Sequence, residues 1–199
     1  MNKRIGMYSS IVTLIGVVGF AFSMFIGSDD GSYLFSLFIS WGFVPMICSF
    51  SAVACKENNS AGYAAMAFSA MYAVVVGLVY FAQLTTIRLS ELNEQVLAIL
   101  DYKNLGSLFF NYDLFGYAFM AIATFFIALT IEVNNKKDKW LKLLLLAHGI
   151  FAVSCIAMPI MGVFSSNMKD GNIIGVLVLE IWCVYFTPIC ILSYQYFKK

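Results

Sequence analysis

The chain has 199 residues, of which 61% are hydrophobic and 12% charged, with a formal net charge of +1. A soluble domain carries roughly 25% charged residues, so a soluble fold of this size could not cover so much apolar surface. The near-neutral balance argues against nucleic acid as a partner, because such surfaces are strongly basic.

Crossing a hydrocarbon core of about 30 Å takes about 20 mostly apolar residues. Six stretches meet that requirement, at 8–26, 33–55, 61–86, 110–132, 141–164 and 173–196. Strand-like alternation is absent, which argues against a membrane barrel. The expected fold is all-α, a single domain formed as a polytopic bundle of six transmembrane helices.

Lys3 and Arg4 precede the first span, as in a signal peptide. No small-residue cleavage site follows, and the chain runs through Gly27-Ser28-Asp29-Asp30-Gly31 into the next span, so the stretch reads as helix one. Gly16 and Gly19, spaced by three, are only a weak packing signal. Helix three has a stronger one: Ala61, Ala65, Ser69, Ala73 and Gly77 recur every four residues. Side chains four apart share a helix face, and in lipid a small face lets backbones approach. That face is expected to pack inside the bundle rather than to form a dimer contact.

The connection Ile87–Gly106 is the one long loop. Leu89, Leu92, Val96, Ile99 and Leu100 have helical spacing, with Glu91, Glu94 and Gln95 on other faces. With Ser90 as N-cap and Gly106 as stop, this predicts a short amphipathic extracellular helix between helices three and four. It either packs over the helix ends or covers an outward-facing cavity. Pro45, Pro159 and Pro188 all lie within spans, where each is expected to kink its helix.

Six spans bring both termini to one side. That side holds Lys3, Arg4, Lys56, Lys136, Lys137, Lys139, Lys142, Lys198 and Lys199; the other holds Arg88, Lys103 and Lys169. Because Lys and Arg resist translocation, both termini are expected in the cytoplasm.

No cofactor or metal is expected. Cys48, Cys55, Cys155, Cys183 and Cys190 form no CxxC pair, lie inside the predicted spans, and read as small packing residues. The lone His148 excludes bis-His haem within one subunit. HExxH, GxSxG and Gly-rich phosphate motifs are missing, so catalysis is thinly supported.

Glu180 is the costliest residue to place. It lies about seven residues into the last span, roughly 10 Å below the outer boundary at about 1.5 Å per residue. A carboxylate there needs pairing, protonation or water. Tyr80, Gln83 and Arg88 end helix three on that side, and Asp113 begins helix four. Arg88 can pair with Asp113 or reach toward Glu180. The expected site is a polar pocket in the outer half of the bundle, built from Glu180, Gln83, Arg88, Asp113 and Tyr80. The alternative is a buried network that fixes helix register. His148 is a secondary candidate. It lies about 12 Å in depth from Glu180, and is expected to donate to a backbone carbonyl near Gly149.

Three segments, Val79–Thr86 (VYFAQLTT), Phe109–Tyr117 (FFNYDLFGY) and Asp138–Phe151 (DKWLKLLLLAHGIF), resemble an uncharacterised group of small six-helix integral membrane proteins of clostridia and related bacteria. The resemblance covers most of the chain. It implies a bacterial plasma membrane and carries no activity and no functional residue. The leading expectation is a protein that binds or transports a small polar or amphiphilic ligand, with a proton coupled through Glu180. Its partners are then membrane lipid and a small-molecule ligand, and a homo-oligomer is not predicted. The alternatives are a non-catalytic accessory subunit of a membrane complex and, third, a lipid-modifying enzyme.

Overall fold

The computed structural model describes residues 1–164 and 171–199. Lys169 and Asp170, which the charge count places in the last loop, lie outside the described residues. Among the described residues there are eight α-helices: α1 (Asn2–Phe25), α2 (Asp29–Val53), α3 (Asn59–Ala82), α4 (Glu94–Leu100), α5 (Leu108–Thr130), α6 (Lys136–His148), α7 (Phe151–Ile160) and α8 (Gly171–Lys198). Helix α3 runs on through a π-helical turn at Gln83–Ile87. Six helical stretches are long and apolar enough to cross a membrane, with α6 and α7 together making the fifth.

Several helices start earlier than their apolar runs, because capping rather than hydropathy sets a helix end. The Ser28 hydroxyl accepts from the Gly31 N–H, and Asp29 and Asp30 then occupy the first turn of α2, at the positive end of its dipole. Asn135 caps α6 by accepting from the N–H groups of Lys137 and Asp138, so the lysine run expected as a loop is the helix's first turn.

The spans form a ring in chain order. Helix α1 packs on α2, α2 on α3, α3 on α5, α5 on both α6 and α7, and α8 closes the ring against α6 and α1. Gly6 of α1 lies directly under the Phe197 ring of α8, so both termini share one end of the bundle, here the terminal end. The other is the loop end.

The closest backbone approach is between α1 and α2, not at the helix-three stripe. A Cβ on Gly16 would lie 2.8 Å from the Ile39 nitrogen, and one on Gly42 would lie 2.7 Å from the Thr13 nitrogen. Ser9, Ser10, Ser36, Ser40 and Ser49 are buried in these two helices, and each hydroxyl donates to a carbonyl three or four residues back. They spend their polarity within their own helix and act as small packing residues.

In α3 only part of the expected stripe is interior. Ala65 and Ser69 are buried, whereas Gly77 faces open space. A strict four-residue spacing drifts by about 40° per step on a helix of 3.6 residues per turn, so the stripe winds off the packed face. Tyr72, Val76 and Tyr80 take over the interior.

The prolines do not mark the irregularity. Pro45 and Pro188 lie inside continuous helices. The break in the fifth span falls at Gly149–Ile150, ten residues before Pro159, where tight three-residue turns replace the α-helical ladder.

Candidate functional site

Asp29, Asp30 and Tyr33 from α2, Gln83 and Arg88 from the end of α3, and Asp101 and Lys103 beyond α4 enclose a polar cavity of about 500 Å³ at the loop end. Two ion pairs brace its rim. Arg88 Nη1 lies 3.2 Å from Asp30 Oδ2, and Lys103 Nζ lies 2.5 Å from Asp29 Oδ2. Arg88 therefore pairs with Asp30, a partner not considered from sequence, rather than with Asp113 or Glu180. Asp29 holds the Lys103 ammonium above its ordinary value, chiefly by their hydrogen bond.

Gln83 ties the floor of this cavity to the long loop. Its side chain is 2% exposed; Nε2 donates to the Leu100 carbonyl at 2.8 Å, and Oε1 accepts from the Tyr102 N–H at 3.3 Å. The π turn begins at Gln83, where the helix widens before ending. The helix in the loop is α4, capped by Asn93 rather than Ser90 and finished at Asp101 rather than Gly106. Gly106, at φ +81°, instead makes the left-handed turn into α5. Leu89 and Ile99, expected on the packed face, are exposed.

The Gln83 bonds carry Tyr102 over a cluster of tyrosines. Tyr33, Tyr80 and Tyr102 stand with ring centroids 5.6 to 5.9 Å apart. The carboxyl of Asp113 lies beside the Tyr80 and Tyr102 hydroxyls. Asp113 is 2% exposed, and its Oδ1 has no hydrogen-bond partner among the described residues. Burial, then the Asp113 carboxyl, push the Tyr102 phenol well above its ordinary value, so it stays a neutral donor.

Of the five residues expected in one pocket, Gln83 and Arg88 line this cavity, Tyr80 and Asp113 lie in the tyrosine cluster and not on its walls, and Glu180 joins neither group. Glu180 is half-buried on α8. Its Oε1 is shielded and has no hydrogen-bond partner among the described residues. Its field acts on Cys183, one turn along the same helix. Depth does not specify which neighbour a helix face meets, and α8 packs on α1 and α6 rather than on α3.

His148 belongs to a second polar site. It is 1% exposed, at the last residue of α6 before the break. Trp182 Nε1 donates to His148 Nε2 at 3.0 Å, and Thr124 Oγ1 lies 2.8 Å from Nδ1. An indole N–H can only donate, so Nε2 is the bare nitrogen and Nδ1 carries the proton. Thr124 accepts that proton's hydrogen bond and donates its own to the Ala121 carbonyl at 2.8 Å. The expected partner, a carbonyl near Gly149, is replaced by a hydroxyl on α5. Trp182, which sequence reasoning left unused as a donor, was the available signal, since a buried indole N–H needs an acceptor.

At the terminal end Lys199 pairs with the buried Asp138, and the Cys55 thiol donates to Glu132. Cys55 is exposed, beyond the end of α2, rather than a packing residue within a span. Among the described residues no group of three or more His, Cys, Asp or Glu is arranged to hold a metal. No family model, curated protein or solved structure matches this chain.

Proposed function

We propose that this is a multi-pass membrane protein that binds, and in the membrane transports, a small polar or amphiphilic ligand through the loop-end pocket. One observation supports this above the others. The cavity of about 500 Å³ has the size of a small-molecule site, and its polar walls come from three separate parts of the chain. Polar groups converging on a cavity from separate parts of the chain are what a ligand site requires. Glu180 drops out of the pocket walls; any coupling to a proton through it is a separate element of the reading.

Nine basic residues on the terminal side against three on the other support cytoplasmic termini. On that orientation the pocket faces outside and α4 is an extracellular surface helix. The resemblance to small clostridial membrane proteins adds a bacterial plasma membrane.

The test is a thermal-shift screen of the purified full chain against small cations, anions, zwitterions and neutral amphiphiles. A true ligand at 100 times its Kd stabilises by about 2.7 kcal/mol. Loss of that stabilisation in Tyr33→Ala and Arg88→Ala supports the pocket. A screen in which no charge class stabilises, or in which hits ignore both substitutions, sinks it. Uptake into vesicles then separates transport from binding, and Glu180→Gln tests whether uptake depends on a proton gradient.

A further inference from the structure

Asp113 has more hydrogen-bonding capacity than its surroundings use. Its carboxyl is buried and Oδ1 is left without a donor among the described residues. A carboxylate withdrawn from water needs its lone pairs met by donors or by a cation. The surroundings suit a cation. Tyr80 lies beside the carboxyl, the Tyr33 ring lies 5.6 Å from that of Tyr80, and Tyr117 lies one turn along α5. Aromatic faces attract ammonium groups, and phenol oxygens can accept from them.

The cavity above has the same bias. It holds three carboxylates, Asp29, Asp30 and Asp101, and two bases, each already held by an acid. Tyr33 joins the two levels: it lines the cavity, and its ring lies 5.6 Å from that of Tyr80 and 5.9 Å from that of Tyr102. A low-dielectric cleft with an excess of one sign concentrates ligands of the other.

We infer that Asp113 is the seat for the ammonium group of a small amphiphilic amine, reached from the loop-end pocket when Tyr102 moves aside. This rests on the pocket reading above and names its ligand class. Tyr102 is the movable wall because it belongs to the loop, not to a span, and its backbone is held there by Gln83. Two sources share the required chemistry, a free amine and the headgroup of an aminophospholipid.

The purified full chain in dodecyl maltoside is titrated with hexylammonium, hexanoate and hexanol, which share one tail and differ in charge. Hexylammonium is expected to raise the unfolding midpoint and the other two to leave it unchanged. Asp113→Asn, with its size-exclusion profile retained, is expected to weaken hexylammonium binding about tenfold or more. Tyr102→Ala is expected to strengthen it, and carries the test should Asp113→Asn fail to fold.

Equal hexylammonium affinity in a folded Asp113→Asn overturns the seat. If that binding is still lost in Tyr33→Ala, the pocket survives. Hexanoate binding in place of hexylammonium overturns the ligand class while leaving the pocket intact. Silence from all three probes overturns the amine inference, and the broader screen then decides the pocket independently. Nanodiscs of phosphatidylglycerol with and without phosphatidylethanolamine separate the sources. Competition by phosphatidylethanolamine supports the seat with lipid as the amine, and its absence alongside hexylammonium binding supports a free one.

Discussion

Two buried polar sites lie along the same bundle and differ in how their hydrogen bonds close. At His148 every polar atom is used: Trp182 donates to the ring, the ring donates to Thr124, and Thr124 donates to a backbone carbonyl. At Asp113 one oxygen is left over, beneath a loop tied to the bundle by Gln83 and by the Lys103–Asp29 pair. A closed set of bonds fixes helices and has nothing to offer a ligand. An open set costs stability and is expected where something else completes it. The difference fits a structural role for the first site and the binding role proposed for the second.

The largest effect that would sharpen this contrast is at the closed site. His148→Ala leaves the Trp182 N–H without its acceptor and opens a cavity, so it should destabilise by about 3 kcal/mol. Thermal unfolding in detergent measures it, and hexylammonium affinity should not change. A stable His148→Ala that no longer binds would reverse the assignment. Trp182→Phe keeps the ring but removes the donor, and should cost about 1–2 kcal/mol by the same assay.

At the open site the order inverts. Gln83→Ala removes two bonds to the loop backbone and should cost about 1 kcal/mol, seen as faster proteolysis within residues 94–104 with little change in the global midpoint. Asp113→Asn should leave the unfolding midpoint within about 0.5 kcal/mol of the parent, or raise it, because it removes an incompletely bonded carboxyl. A loss as large as that of His148→Ala would make Asp113 structural.

The smallest effect belongs to the rim. Lys103→Ala and Arg88→Ala remove exposed ion pairs and should each change stability by no more than about 0.5 kcal/mol, less in high salt. The Lys103 value is raised, so its pairing is fully present below the ordinary lysine value of 10.5 and is lost as the pH climbs through the elevated one. A pH titration of loop proteolysis should show protection at neutral pH and its loss only in strong alkali.

The spans were legible because a bilayer imposes length and apolarity on any helix that crosses it. Tyr80, Gln83, Arg88 and Asp113 were legible as one group because they end or begin helices on the same side. What sequence hid was azimuth. Glu180 has the right depth and the wrong neighbours, and the stripe from Ala61 to Gly77 winds away from its packed face as its spacing outruns the helical period. Asp30 and Tyr102 were missed for another reason. Asp30 reaches the site from the capped first turn of α2 and Tyr102 through loop geometry, neither of which hydropathy encodes.

The interruption at Gly149–Ile150 divides the fifth crossing into two rods joined by a hydrogen-bonded turn. The rod nearer the termini is riveted to α8 through His148 and through the Tyr185 hydroxyl on the Leu144 carbonyl. The other, α7, leans on α5, the helix that carries Asp113. Three-residue bonds from Gly149 to Val153 are what join the two halves, so a tilt of α7 is passed to the riveted half less stiffly than along an unbroken α-helix.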